Sequence, residues 1–140
     1  MRNLLFVQAA AEDLPVELEG LATEVHVQFP WGSLLRGVVT GDEQIMGNLK
    51  RICSPEARLQ ITIGLDAQRD RSEWERLELP EISLEYVRSA LVAKYAIAGF
   101  KVAEVEELSP AELPELQTSW ARRLKGGEGR SFIRIVAISR

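Results

Sequence analysis

Two short runs of strict alternation, separated by a segment of helical period, constrain this chain more than any other feature. In Glu24-Val25-His26-Val27-Gln28-Phe29, the residues Val25, Val27 and Phe29 fall on one side, as in a strand with one apolar face. Ala57-Arg58-Leu59-Gln60-Ile61-Thr62-Ile63 repeats the pattern. Between the two runs, Asp42 opens a segment whose Ile45, Leu49, Ile52 and Cys53 form one helical stripe. Leu4–Ala9 is a nearly continuous apolar run and reads as a further strand, buried on both faces. Downstream, Glu73–Leu77 predicts a short helix. Ser83 caps a stronger one, with Leu84, Val87, Leu91 and Tyr95 on one face and Gly99 as its stop. Phe100–Val105 and Ser131–Ile138 predict the last two strands. Ser109-Pro110-Ala111-Glu112 is a capping box with proline at the first helical position. It predicts a helix to about Leu124, bent or restarted at Pro114. The pattern is α/β: some parallel sheet, an antiparallel end, and a helical insertion before the last strand.

A chain of 140 residues that is 46% apolar and 27% charged has the composition of one globular domain. No apolar run approaches the ~20 residues of a membrane span. The N-terminus carries acids where a signal peptide has its small-residue cleavage site, so a cytoplasmic protein is expected. Cys53 is the only cysteine, which excludes an intramolecular disulfide and a cysteine metal cluster. His26 is the only histidine, which excludes most zinc sites and catalysis by several imidazoles, and no metal is expected. Charge is unevenly spread. Trp120–Arg140 holds six basic residues against Glu128 alone, a net +5 in a chain of −4, so residues 1–119 carry −9. An acidic body with a basic end suggests one face for a polyanion, although a solvated basic surface has the same composition.

Four segments then stand in order: Ala9-Ala10-Ala11-Glu12-Asp13-Leu14-Pro15, Phe29-Pro30-Trp31-Gly32-Ser33-Leu34-Leu35-Arg36-Gly37, Thr118-Ser119-Trp120-Ala121-Arg122-Arg123-Leu124 and Gly129-Arg130-Ser131-Phe132-Ile133-Arg134. The first two end predicted strands, where ligands bind in open α/β sheets. Together the four resemble the aminoglycoside-resistance family of 16S ribosomal RNA (adenine-N1) methyltransferases, over nearly the whole chain. The resemblance implies the C-terminal part of a class I, Rossmann-like methyltransferase, with strands four to seven of the family sheet. It implies S-adenosylmethionine as cofactor and an adenine of 16S rRNA, in the small ribosomal subunit, as target. The family's first third is absent, including the glycine-rich loop and the acidic residue that cradle the methionine and ribose parts of the cofactor. The chain therefore reads as a single partial domain, 1–140, without the N-terminal cofactor-binding half and inactive by itself.

The resemblance assigns Trp31 and Trp120 to stacking on the flipped target adenine. A base out of its stack gains ~1–3 kcal/mol from a flat partner, and N1-methylation adds a positive charge that an aromatic face favours. It assigns Ala11, Glu12, Phe29, Pro30, Gly32, Ser33 and Thr118 to cofactor contact, and Arg122, Arg123 and Arg130 to RNA contact. Glu12 could equally begin a helical turn, and Ser33 could cap the helix that follows it. Glu128 departs from a stretch that can be strongly basic in the family. Trp74 reads as structural, His26 as a surface residue, Cys53 as a small core residue, and Glu104, Glu106 and Glu107 as solvated. Two other functions fit the sequence: a non-catalytic RNA-binding module, and a scaffold domain that dimerises through its sheet edge. A homodimer through the strand at Leu4–Ala9 is expected if that strand has an unpaired edge.

Overall fold

The computed structural model describes residues 4–64, 70–109 and 132–140. Strand β1 (Ala22–Gln28) leads into helices α1 (Gly32–Thr40) and α2 (Glu43–Ile52), and the chain returns as β2 (Cys53–Ile63). Helix α3 (Arg71–Arg76) follows. A longer helical stretch is built from α4 (Leu84–Tyr86), a π turn (Val87–Leu91) and α5 (Val92–Ile97). Strands β3 (Phe100–Leu108) and β4 (Phe132–Ser139) complete one four-stranded sheet of order β1-β2-β4-β3. β1 and β2 are parallel, and β4 runs antiparallel to both its neighbours, β2 and β3. The last strand is thus antiparallel as expected, but it lies inside the sheet and not at its end.

Local chemistry accounts for most boundaries. The Asp42 side chain accepts from the Ile45 N–H at 3.0 Å and caps α2, and Ser83 accepts from Tyr86 N–H at 3.1 Å to start α4. The next helical stretch buries Val87, Leu91 and Tyr95 completely. Their spacing of four residues exceeds the ~3.6 of an α-helix, and the wider π turn absorbs the drift, so all three face the core. Cys53 is buried as expected, but it begins β2 and does not continue the stripe of α2. Burial pushes its thiol pKa up.

The run Leu4–Ala9 departs from expectation. It joins no ladder of the described sheet, and Leu4, Leu5, Phe6 and Val7 are exposed. A strand buried on both faces needs a paired neighbour, and the described partner of β1 is β2 alone. Helix α1 stands where a helix was expected after Ser33, but its packing goes beyond what the sequence pattern revealed. It packs so closely on α2 that a Cβ on Gly37 would meet the Ile45 side chain at 2.9 Å. Its last four carbonyls are all taken, the set that a helix C-terminus leaves without intrahelical partners. Gly37 O accepts from Asp42 N–H at 2.9 Å, Val38 O from the Tyr95 hydroxyl at 2.6 Å, Val39 O from the Tyr86 hydroxyl at 2.7 Å and Thr40 O from Lys94 Nζ at 3.0 Å. The helical stretch after Ser83 therefore fixes the far end of α1, the helix that leads away from Trp31.

Candidate active site

β1 and β2 end together, with Gln28 opposite Thr62, and β4 begins there, with Ile133 opposite Ile63. β3 ends there as well, since Leu108 pairs with Phe132. Phe29-Pro30-Trp31-Gly32-Ser33 therefore emerges at the carboxyl end of the parallel strands, where α/β sheets bind ligands.

Phe29 makes the exit from the sheet. Its N–H donates to Thr62 O at 2.8 Å, extending the ladder by one residue, and its φ is +50°. That conformation is strained for a residue with a side chain, more so before a proline, and costs on the order of 1–3 kcal/mol. The ring turns into the core and meets Phe132 edge-on, centroids 5.8 Å apart. Gly64 completes this contact, because a Cβ there would stand 2.6 Å from the Phe132 ring and 3.3 Å from the Phe29 ring. Phe29 and Pro30 are both buried, so what Phe29 offers a ligand at this end is its backbone.

With the Phe29 ring anchored inward, Trp31 lies outside the core. It is 44% exposed, extended in backbone, and stands as the first flanking residue of α1. Trp74 behaves oppositely: it is half-buried and its indole N–H donates to Leu79 O at 2.9 Å, the structural role expected of it. Trp31 makes no side-chain cap bond to its helix.

Glu12 and Ser33 come together from segments twenty-one positions apart. Ser33 beside the Glu12 carboxylate, and then the backbone of Glu12 itself, hold its pKa below the ordinary value, against smaller opposing effects of desolvation and of Asp42. Neither residue plays the alternative role open in the sequence. Glu12 sits in a tight turn closed by Asp13 N–H to Ala10 O at 3.0 Å, before the short 3-10 turn Val16–Leu18, and Trp31 occupies the capping position of α1. Ala11 is half-buried and packs against the core. Sequence reasoning missed the residues that hold this turn, Gln44, Asn48 and Arg51 of α2. A polar stripe at their spacing of four and three is ordinary on the solvent face of a helix and carried no mark of the turn it binds.

His26 and the acids of β3 are surface residues, although Glu107 pairs with Ile133 at this end of the sheet. His26 pairs with Glu24 at 2.7 Å, and Glu104, Glu106 and Glu107 are exposed. Thr118, Trp120, Arg122, Arg123 and Arg130, with the capping box helix expected after Ser109, lie outside the described residues.

A part-parallel sheet with helices, whose strand ends carry an exposed tryptophan near a carboxylate, is an α/β fold with a ligand-binding end. Comparison with known proteins narrows the class. The family model NpmA, described as 16S rRNA (adenine(1408)-N(1))-methyltransferase, matches residues 1–139, and the chain belongs to that family. It is 39% identical over 128 residues to the 16S rRNA (adenine(1408)-N(1))-methyltransferase of Streptoalloteichus hindustanus, covering 91% of this chain and 58% of the relative. It is 39% identical over 137 residues to an rRNA methyltransferase of Saccharopolyspora hirsuta, covering 98% and 85%. Its fold is similar to the crystal structure of a tryptophan-to-alanine variant of the 16S rRNA (adenine(1408)-N(1))-methyltransferase from Catenulisporales acidiphilia, with cosubstrate SAM. There the TM-score is 0.81 at 36% identity, over 94% of this chain and 59% of that one. The chain thus spans about three fifths of the first relative and of the solved enzyme.

Proposed function

We propose that this chain is the target-base part of an enzyme that methylates N1 of an adenine in 16S rRNA, using S-adenosylmethionine. The observation that carries the reading is Trp31, a large aromatic left exposed at the carboxyl end of parallel strands beside the Glu12–Ser33 pair. In this reading Trp31 and Trp120 stack on the extruded base. Leu108 and Phe132, which bracket the segment carrying Thr118, Trp120, Arg122, Arg123 and Arg130, are paired at the same sheet end as Trp31, which supports this assignment. The three arginines bind phosphates of the small ribosomal subunit. No helix among the described residues is long and apolar enough to cross a membrane, and an rRNA substrate puts the work in the cytoplasm.

The described residues fit one part of the cofactor. An ionised carboxylate beside a serine, in a turn whose carbonyls are fixed, suits the donor groups of an adenine ring. Ala11, Glu12, Gly32, Ser33 and the Phe29 and Pro30 backbone form that part, to which the family resemblance adds Thr118. The glycine-rich loop and acidic residue for the methionine and ribose parts are not in the sequence. The domain is a partial one, and by itself it holds the cofactor loosely and is inactive. When bound, S-adenosylmethionine supplies an electrophilic methyl group. Adenine N1 has a free lone pair, so the chain's task is to position the base rather than to remove a proton. The test is a fusion of the N-terminal part of the Streptoalloteichus hindustanus relative to residues 1–140, given small ribosomal subunits and S-adenosylmethionine. N1-methyladenine, read as a stop in primer extension, is expected. A folded fusion that binds the cofactor and leaves the rRNA unmodified contradicts the proposal.

A further inference from the structure

The turn that carries Glu12 is held by side chains of a neighbouring helix and not by a sheet. Asn48 Nδ2 donates to Ala11 O and to Glu12 O, each at 2.9 Å. Gln44 Nε2 reaches Glu12 O at 3.3 Å, and Arg51 Nη2 donates to Leu14 O at 2.9 Å. Gln44, Asn48 and Arg51 lie on one face of α2, opposite the face that buries Ile45, Met46 and Leu49. Ser33, at the start of α1, favours the ionised Glu12 carboxylate, and Asp42, at the start of α2, opposes it more weakly.

We infer that Asn48, with Gln44 and Arg51 on either side of it, is a positioning residue that clamps the Ala11–Leu14 turn and so sets the Glu12 carboxylate against Ser33 for cofactor binding. This rests on the reading of Ala11 and Glu12 as cofactor contacts. A central amide with two donors on two successive carbonyls fixes both the place and the rotation of the turn. Without it, Glu12 keeps its own chemistry but loses its station. The same arrangement explains a polar stripe on α2 that makes no ion pair with the turn.

The test uses the full chain and two readings by NMR. The Glu12 side-chain carbon is followed through acid titration in wild type, Asn48→Ala, Gln44→Ala and Ser33→Ala. Adenosine is the probe for the adenine part of the site, followed at the Ala11 and Glu12 amides. In wild type, Glu12 titrates below the ordinary carboxylate range, and Ser33→Ala gives the size of the full effect. Asn48→Ala is expected to move Glu12 toward its ordinary value and to weaken adenosine by roughly two- to tenfold, the worth of one hydrogen bond. Asn48→Gln, which keeps the amide, is expected to recover part of both. Gln44 is exposed, so Gln44→Ala folds in any case and should show the same two changes in smaller measure. An unchanged Glu12 titration in both Asn48→Ala and Gln44→Ala overturns the clamp. A wild-type chain whose Ala11 and Glu12 amides ignore adenosine overturns the cofactor reading instead, and the purpose of the clamp with it.

Discussion

Tyr95→Phe removes one oxygen atom and tests how α1 is held. Tyr95 is fully buried, and its hydroxyl donates to Val38 O at 2.6 Å, one of the carbonyls that the end of α1 leaves open. Phenylalanine keeps the ring and its packing, so the loss is the hydrogen bond plus the cost of a buried carbonyl without a partner. Such a group costs ~1–3 kcal/mol. Tyr86 is the control, since its hydroxyl makes the same kind of bond to Val39 O but the residue is only half-buried. Water can replace it, and Tyr86→Phe should cost about 1 kcal/mol or less. Urea melts at neutral pH give both numbers. A second reading comes from alkali. Burial pushes the Tyr95 phenol well above its ordinary pKa, and Tyr86 moves in the same direction. The folded state keeps a proton that the unfolded chain loses near pH 10. The stability present below that pH therefore falls as pH rises beyond it, by about 1.4 kcal/mol per pH unit for Tyr95. Tyr95→Phe should flatten this fall. Equal losses for the two variants within about 0.5 kcal/mol, or an alkaline slope that survives Tyr95→Phe, would refute the reasoning.

Gly64→Ala should destabilise by ~1–3 kcal/mol in urea, because the added carbon meets the Phe132 and Phe29 rings; a neutral result would mean that this packing yields freely. Calorimetry of S-adenosylmethionine on residues 1–140 should show affinity weaker than micromolar, and a micromolar value would mean that the cofactor site is complete by other means. Leu4, Leu5, Phe6 and Val7, four exposed apolar residues in a row, should drive association into a dimer or larger species. Sedimentation of a clean monomer at high concentration counts against this, and Leu5→Lys with Phe6→Lys should shift an associated sample toward monomer.

What the sequence made legible was whatever depends on near neighbours. The Asp42 and Ser83 caps, the alternation of β1, and the buried face at Val87, Leu91 and Tyr95 all stand where the pattern put them, whereas β2, which alternates in sequence, buries Gln60 and Thr62 too because it lies between β1 and β4. The end of helix α1 was obscure because it is satisfied by Tyr86, Lys94 and Tyr95, some fifty positions downstream. The run Leu4–Ala9 has the composition of a central strand, but composition does not supply a partner, and the described sheet gives it none. In the site, Trp31 was legible because proline and glycine on either side leave a large ring little core to enter, and it is exposed. Phe29 closes the alternating run that marked it as apolar-facing, and its ring is buried against Phe132, but its φ of +50° at the exit from the sheet is a feature that no spacing announces. The Asn48 clamp was invisible for the opposite reason, since an asparagine on a polar helix face has no signature until the turn it binds is in place.

The central claim is that Trp31 is a platform for a base and not part of the core. The direct measurement is Trp31→Ala in the fusion that completes the enzyme, with stability in urea and transfer of labelled methyl groups to small ribosomal subunits read on the same preparation. An exposed ring at a strand end should cost about 1 kcal/mol or less when removed, while the loss of base stacking should abolish methyl transfer. A variant that unfolds by ~3–5 kcal/mol, as a buried tryptophan would, or one that stays folded and methylates at the wild-type rate, would contradict the account.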